Sequence, residues 1–232
     1  MISIVIPTYN EQKYLPELLK SLKKQTYKHY EIIISDNNST DNTLNIAKTY
    51  KCKIVKGGYP PIARNNGAKV AKYDLLFIDS DVIINDKNLL KNFIKKLNID
   101  KSDCATLVIK PDTKTISSQI YYFLKNNLNI LLKYIQPHTS GQFFFIKKNA
   151  FYSVGGYDET LILGEEHDLV QRLVKNKNKF SFYTNLFVNN SDRRVIKEGL
   201  IKLLIKNFCS QIFNLFGGKI RKKYYKYEFG KY

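Results

Sequence analysis

The chain has 232 residues, with 38 Lys and Arg against 20 Asp and Glu, so its formal net charge is +18, and 44% of its residues are hydrophobic. This composition is typical of a folded globular protein and excludes disordered, collagen-like and disulfide-scaffold classes. The three cysteines, Cys52, Cys104 and Cys209, lie far apart, which argues against a Cys-based metal site and favours a reducing compartment. We read no signal peptide and no apolar run of about 20 residues, so we expect a cytoplasmic protein.

The first hundred residues alternate between strand and helix patterns. Short apolar runs predict buried strands at SIVIP (3–7), EIIIS (31–35), KIV (53–55) and DLLFI (74–78). Helical patterns lie between them, at residues 11–25, from a cap at Ser39 or Thr40 to about Tyr50, and at residues 63–71. Continuous apolar strands separated by helices predict a mostly parallel, Rossmann-like sheet covered on both faces.

The second half has a different order of elements. We predict strands at 104–110, 142–148 and 179–190, and helices at 118–135, 150–154, 164–176 and 195–215. The helix at 118–135 is rich in aromatic residues and carries a broad apolar face, formed by Ile120, Phe123, Leu124, Leu128, Leu131 and Leu132. That face either packs on the sheet or meets lipid, and the sequence leaves both alternatives open.

Three polar clusters follow predicted strands, and ligands of open parallel α/β sheets bind beyond the carboxyl ends of the strands. The clusters are Thr8-Tyr9-Asn10-Glu11, Asp36-Asn37-Asn38 and Asp79-Ser80-Asp81. We therefore expect them to converge on one rim. Asp79 and Asp81 offer oxygen ligands that suit Mg²⁺ or Mn²⁺, although Asp and Ser are also common in simple turns.

Two further segments carry charged side chains suited to chemistry. Arg64 opens a helix, where a guanidinium and free N–H groups hold phosphate oxygens, although it is also readable as a surface arginine. Gly67 in the same segment suits close packing of helix on sheet. Glu165 and Glu166 begin a helix that negative charge stabilises, and either carboxylate suits a general base. We rank Glu166 first, Glu165 second and His167 third.

Five segments, in this order, resemble the inverting, nucleotide-sugar-dependent glycosyltransferases of family 2, which have the GT-A fold. They are SIVIPTYNE, SDNNSTDNT, ARNNGAKVAKYDLLFIDSDV, GQFFFIKKNAFYSVGGYDE and GEEHDLVQRL, and the resemblance runs from residue 2 to about residue 199. It implies a glycosyltransferase domain over 1–199, with a nucleotide-binding half at 1–100 and an acceptor half at 101–199. Residues 200–232 are then a C-terminal amphipathic, basic helical extension.

The resemblance also implies roles for individual residues. Pro7, Thr8, Tyr9 and Glu11 match the segment that lines the base and ribose, Asp36 the aspartate that bonds the base, Arg64 the pyrophosphate-side residue, and Asp79-Ser80-Asp81 the DxD motif. Asp81 is the expected metal ligand and Asp79 lies nearer the ribose. Gly141, Gly156, Tyr157 and Asp158 match the sugar and acceptor side.

The chain departs from the family pattern at two places. The usual general base is an aspartate, and Glu166 aligns with it here, so Glu165 remains an alternative. A histidine that binds metal in some relatives has no counterpart near Asn189–Asp192. The segment SDRR at 191–194 resembles an SxRR segment, whose arginines would meet an anionic acceptor or the diphosphate.

The implied function is transfer of a sugar from a UDP- or GDP-sugar to a hydroxyl of a glycan or lipid-linked acceptor, with Mn²⁺ or Mg²⁺. Alternatives are transfer to polyprenyl phosphate, or a catalytically silent nucleotide-sugar-binding subunit. Residues 193–232 hold eleven Lys and Arg against Glu198 and Glu228, so 11 − 2 = +9. This charge predicts peripheral contact with the anionic inner face of the cell membrane, whereas no recognition module for nucleic acid is present.

Overall fold

An eight-stranded sheet forms the centre of the protein in the computed structural model, which describes residues 1–113, 115–133, 137–139, 141–161 and 163–206. The strands are β1 (Ile2–Thr8), β2 (Tyr30–Asp36), β3 (Lys53–Lys56), β4 (Asp74–Ile78), β5 (Val82–Ile83), β6 (Cys104–Pro111), β7 (Phe143–Ile146) and β8 (Phe180–Asn190). The helices are α1 (Leu15–Lys23), α2 (Thr43–Thr49), α3 (Pro60–Val70), α4 (Leu89–Asp100), α5 (Ile116–Leu132), α6 (Lys148–Ser153), α7 (Glu165–Lys175) and α8 (Arg193–Glu198). The mixed α/β architecture with flanking helices confirms the predicted fold class.

The strand order is β3-β2-β1-β4-β7-β6-β8-β5. The first four of these strands are parallel, as the apolar runs predict. β7 runs antiparallel to β4, and Phe143 at its start pairs with Ile78 at the end of β4. The chain thus enters β7 from the rim where β4 ends. The second half of the sheet is therefore mixed, and the segment before β7 reaches the same rim as the polar cluster that follows β4.

Two helix ends differ from the sequence prediction. The cap predicted at Ser39 or Thr40 is wrong, because α2 begins only at Thr43 and the Ser39 hydroxyl donates to Asp36 instead. The last predicted helix is interrupted at Gly199, whose φ of +81° suits glycine. A further helical stretch covers 200–206, and the rest of the predicted 195–215 helix lies outside the described residues.

Apolar side chains cover both faces of the sheet, as predicted. Successive residues of β1 point to opposite faces, so Ile4 and Ile6 pack in one core while Val5 packs in the other. The first core is closed by α1 and α4, and the second by α3 and α7. The sheet is therefore covered on both faces beneath the rim that carries the polar clusters. Among the described helices, none is long and apolar enough to cross a membrane.

Gly67 lets α3 approach β1 closely, as the sequence indicates. A Cβ added at Gly67 would lie 2.3 Å from Val5 Cγ1 and 3.3 Å from Val5 Cγ2. Val5 is fully buried and β-branched, so its side chain has little freedom to turn away. The close contact fixes the height of α3 above the sheet, and with it the position of Arg64 one turn earlier.

We expect Gly67→Ala to lower the free energy of unfolding by about 1 kcal/mol or more. Alanine gains up to about 1 kcal/mol in helix propensity, but overpacking a filled core costs about 1–3 kcal/mol. Urea unfolding measures the balance. The same substitution in a Val5→Ala background should cost less, since the clashing methyl groups are gone. An equal cost in both backgrounds would show that the contact with Val5 is not the cause.

Candidate active site

A cavity of about 240 Å³ lies at the rim beyond the carboxyl ends of β1 and β4. The predicted site residues that line it are Pro7, Glu11, Arg64, Asp79, Ser80, Asp81, Gly141, Glu165 and Glu166. Thr8, Tyr9 and Asp36 lie outside this lining. Asp36 accepts hydrogen bonds from Thr8 Oγ1 at 2.8 Å and from the Ser39 backbone N–H at 2.8 Å, so in this structure it secures the loop after β2.

Arg64 is the centre of a buried charge cluster. It is 3% exposed, and its Nη2 lies 2.9 Å from Asp79 Oδ1. Its Nη1 lies 3.1 Å from Glu165 Oε1 and 3.0 Å from Glu166 Oε1. One guanidinium on α3 thus joins the end of β4 to the start of α7, which a rigid planar donor does well.

Glycine and tyrosine residues hold the arginine from two sides. A Cβ at Gly141 would lie 2.2 Å from Glu166 Oε1 and 2.3 Å from Arg64 Nη2, so a side chain there would have to displace these two charged groups. The ring of Tyr157 lies behind the guanidinium, with Arg64 Cζ 5.5 Å from its centroid. Tyr157 therefore stands behind Arg64, and Gly156, Tyr157 and Asp158 lie outside the cavity lining.

The two glutamates at the start of α7 differ in their surroundings. Burial, and secondarily the charge of Glu166, raise the pKa of Glu165 to about 8. The Glu166 side chain is the more exposed of the two, 15% against 9%. Access from the cavity favours Glu166 as a base, whereas a pKa near neutral pH also suits a base and keeps Glu165 as the alternative.

The raised pKa of Glu165 predicts a pH dependence of stability. Between about pH 4.5 and 8 the folded chain binds this proton and the unfolded chain does not, so the free energy of unfolding falls as pH rises, by at most about 1.4 kcal/mol per pH unit. Glu165→Gln removes this titration. Urea unfolding at several pH values should show the variant gaining stability over the wild type as pH rises, whereas parallel curves would contradict the assignment.

A second arginine, Arg193 at the start of α8, closes the opposite side of the cavity. Its Nη1 and Nη2 lie 3.1 and 3.0 Å from the two carboxylate oxygens of Glu11, and its Nε lies 3.1 Å from Asp81 Oδ2. Burial raises the pKa of Glu11 and of Asp81, and Arg193 opposes both shifts. Arg193 was marked in the sequence only through the SDRR segment, and its partners could not be read there.

Asp79 and Asp81 therefore face different arginines in the same cavity. Asp79 uses Oδ1 for Arg64, and Asp81 uses Oδ2 for Arg193 and for the Ser191 hydroxyl at 2.9 Å. Among the described residues, the other oxygen of each carboxylate accepts no hydrogen bond. No group of three or more His, Cys, Asp and Glu in the described ranges is arranged to hold a metal ion.

The far end of the cavity is lined by residues that sequence reasoning missed. Tyr121, Tyr122, Lys125 and Asn129 come from one side of α5, and Lys125 Nζ lies 3.2 Å from Gln142 Oε1. Their helical spacing was a usable signal. His167 is held at this end by the ring of His138, 4.5 Å away, and burial, His138 and Lys125 lower its pKa. A lowered pKa makes His167 a weaker proton acceptor, in keeping with its third rank as a base.

Known proteins with similar sequences and folds share this arrangement of elements. The model named "Glycosyl transferase family 2" matches residues 3–155. The poly(ribitol-phosphate) beta-N-acetylglucosaminyltransferase TarS of Staphylococcus aureus is 36% identical over 119 residues, which cover 47% of this chain and 21% of TarS. A transferase of Methanococcus voltae, whose printed name begins with dolichyl N-acetyl-alpha-D-glucosaminyl phosphate, is 26% identical and covers 97% of this chain and 75% of that protein.

Solved structures show the same fold. TarS 1–349 in complex with UDP-GlcNAc superposes with a TM-score of 0.65 at 24% identity, over 82% of this chain and 58% of that one. The mannosyltransferase PcManGT from Pyrobaculum calidifontis, in complex with GDP-Man and Mn²⁺, gives a TM-score of 0.68 at 16% identity, over 82% and 56%. The match to TarS covers about a fifth of that protein's length.

Proposed function

This chain belongs to glycosyl transferase family 2, and from that premise we propose that it transfers a sugar from a nucleoside-diphosphate sugar to an acceptor hydroxyl with inversion. The observation that carries the proposal is the cavity itself. Arg64, Arg193 and the Asp79-Ser80-Asp81 segment line one part of the cavity. The two glutamates of α7 line the neighbouring part, and Arg64 lies between them and Asp79. A leaving diphosphate and an incoming hydroxyl thus have separate partners.

The residues divide the work of a single displacement. The diphosphate of the donor binds Arg64 and Arg193, whose positive charge stabilises the negative charge that develops on the leaving oxygen. Glu166 takes the proton of the acceptor hydroxyl as that oxygen attacks the anomeric carbon. Attack opposite the leaving group inverts the configuration. Lys125 and Gln142 at the far end of the cavity orient the acceptor.

A divalent cation fits the oxygen donors of the rim. Mg²⁺ is commonly bound by one or two carboxylates together with substrate phosphates, and the free oxygens of Asp79 and Asp81 supply such a pair. Asp81 and Asp79 would hold Mn²⁺ or Mg²⁺, and the cation would neutralise diphosphate charge. The PcManGT structure contains Mn²⁺ with its donor, which supports this assignment by analogy.

We expect Asp81→Asn to weaken nucleotide-sugar binding in the presence of Mn²⁺ by about tenfold or more, since a charged ligand is replaced by a neutral amide. Calorimetric titration with and without Mn²⁺ measures this. Asp112→Asn is the matched control, because it makes the same exchange at an exposed carboxylate outside the cavity lining. Equal nucleotide affinity of Asp81→Asn and the wild type under both conditions would remove Asp81 from the metal site.

The experiment that tests the function is a panel of UDP-, GDP- and dTDP-sugars with Mn²⁺ or Mg²⁺, read by thermal shift and then by release of the nucleoside diphosphate. A donor that stabilises the protein and is consumed in the presence of an acceptor supports transfer. Binding without consumption by any acceptor favours the silent nucleotide-sugar-binding subunit. Binding of no nucleotide sugar contradicts both.

A second candidate is transfer to a lipid-linked acceptor such as a polyprenyl phosphate. The specific observation in its favour is the apolar face of α5, which is exposed beside the cavity. The name of the Methanococcus relative also contains a dolichyl phosphate.

We assign residues 1–100 to the donor, 101–199 to the acceptor, and 200–232 to a basic extension that contacts the cytoplasmic face of the membrane. A product that partitions into organic solvent would identify the lipid-linked acceptor.

A further inference from the structure

The outward side of α5 carries large apolar side chains that the fold leaves in solvent. Ile116, Phe123 and Leu131 are 76%, 66% and 71% exposed, and Ile120 and Leu124 are each more than two fifths exposed. At 100° per residue these five positions fall within an arc of about 100°. The stripe is about 22 Å long at 1.5 Å per residue, and a monomer rarely leaves so continuous an apolar surface uncovered.

The helical segments after β8 also carry exposed apolar side chains. α8 packs against α5, and Asp192, just before α8, accepts a hydrogen bond from Ser118 Oγ at 2.8 Å. Ile196 on α8 and Ile201 and Ile205 on the 200–206 stretch are 68%, 74% and 58% exposed. We call the five exposed residues on α5 the α5 apolar face.

The charges around the face have one dominant sign. The sequence from residue 113 to residue 157 contains no Asp or Glu, and residues 194–206 contain Arg194, Lys197, Lys202 and Lys206 against Glu198. Apolar side chains bordered by Lys and Arg are characteristic of helices that lie in the interface of an anionic bilayer. A protein partner would need an acidic, apolar surface, whereas an anionic bilayer supplies both properties at once.

We propose that the α5 apolar face inserts into the headgroup region of an anionic membrane. This inference rests on the membrane contact proposed above and assigns it to a named surface. The opposite side of α5 lines the cavity with Tyr121, Tyr122, Lys125 and Asn129. One helix therefore faces the bilayer with one side and the candidate acceptor end with the other, so an acceptor anchored in the same leaflet needs to travel only the width of a helix.

The chain contains no tryptophan, so a single introduced tryptophan reports its own surroundings. In the full chain we expect the fluorescence of Phe123→Trp to shift to the blue on phosphatidylglycerol vesicles and to be quenched by brominated lipid, with little change on phosphatidylcholine vesicles. The matched control is Ile99→Trp, because Ile99 is 67% exposed near the end of α4. α4 leads into the start of β6, whereas α5 follows the end of β6, so the two positions lie toward opposite ends of that strand. The Ile99→Trp spectrum should change little on either vesicle.

A second pair of variants separates apolar insertion from charge. Phe123→Asp should lower the vesicle partition coefficient by about tenfold or more, because the contact of the aromatic ring with the bilayer is lost. Ile99→Asp adds the same negative charge and should change it much less. Equal losses in the two aspartate variants would overturn the proposal, because charge alone would then account for binding.

Three other results would also overturn it. Vesicle binding with an unchanged Phe123→Trp spectrum would assign membrane contact to the basic extension alone. A Phe123→Trp spectrum that is already blue-shifted without vesicles would show that the face is covered in the free protein. If dilution leaves the blue shift unchanged, residues 207–232 cover the face; if dilution reverses the blue shift, a second copy of the chain covers it. None of these measurements uses a donor or turnover, so their failure leaves the proposed transferase reaction to be judged separately.

Discussion

Glu166→Gln should lower turnover by about 10²–10⁴-fold while leaving donor affinity close to that of the wild type. Glutamine keeps the size and one oxygen of the side chain, so the contact with Arg64 Nη1 at 3.0 Å survives. It cannot accept the proton of the acceptor hydroxyl, and a general base usually contributes rate factors of this size. Steady-state rates with the acceptor, together with calorimetric donor binding, separate the two quantities.

Glu165→Gln is the control for this prediction. The two glutamates begin the same helix and contact the same Arg64 nitrogen, so the two substitutions make the same near-isosteric exchange in one place. If Glu166 is the base, Glu165→Gln should change the barrier only through helix-terminal electrostatics, by about 0.3–1 kcal/mol. A collapse of turnover in Glu165→Gln beside a normal rate in Glu166→Gln would transfer the role to Glu165.

Arg64→Met should cost about 3–5 kcal/mol of unfolding free energy at neutral pH. Methionine occupies much of the space of the arginine stem, but it leaves Asp79, Glu165 and Glu166 without the buried charge that they share. Removal of one partner from a buried ion pair is costly in this range because the remaining charges are uncompensated. Urea unfolding of both proteins gives the difference.

The pH dependence of that difference distinguishes lost charge from lost packing. Protonated carboxylates need no compensating cation, so the cost of Arg64→Met should shrink as the pH falls. A cost that stays constant with pH would mean that the arginine contributes chiefly through packing, for example against the ring of Tyr157. Arg64→Lys should be intermediate, since one ammonium replaces the planar fork.

The nucleotide-side half of the fold follows closely from the sequence. The four apolar runs become β1 to β4 in parallel order, because continuous hydrophobic stretches between helices have few other stable arrangements. The expected convergence of the clusters after β1 and β4 is also present, since Glu11, Asp79 and Asp81 line one cavity. Local sequence patterns were sufficient to predict those parts of the fold that depend only on one strand and the helix that follows it.

Features that depend on pairs distant in sequence could not be predicted in this way. The reversed direction of β7 and the meeting of Arg64 with Glu165, 101 positions later, depend on how the two halves assemble. The arginine on each rim aspartate, Arg64 on Asp79 and Arg193 on Asp81, depends in the same way on contacts that no local pattern shows. The apolar residues of 118–135 gave a helix correctly, but periodicity alone does not tell which side faces the core.

The bridge from Arg193 to Glu11 spans 182 positions of the chain. At a synthesis rate of 5–20 residues per second, Glu11 waits roughly 10–40 s for its partner to be made. During that interval β1 to β4 have all their residues and can pair, while Glu11 and Asp81 lack the cation that allows them to be buried. The donor side of the pocket therefore stays hydrated on the nascent chain and is closed last, so a product that ends before residue 193 lacks the cation that closes this rim.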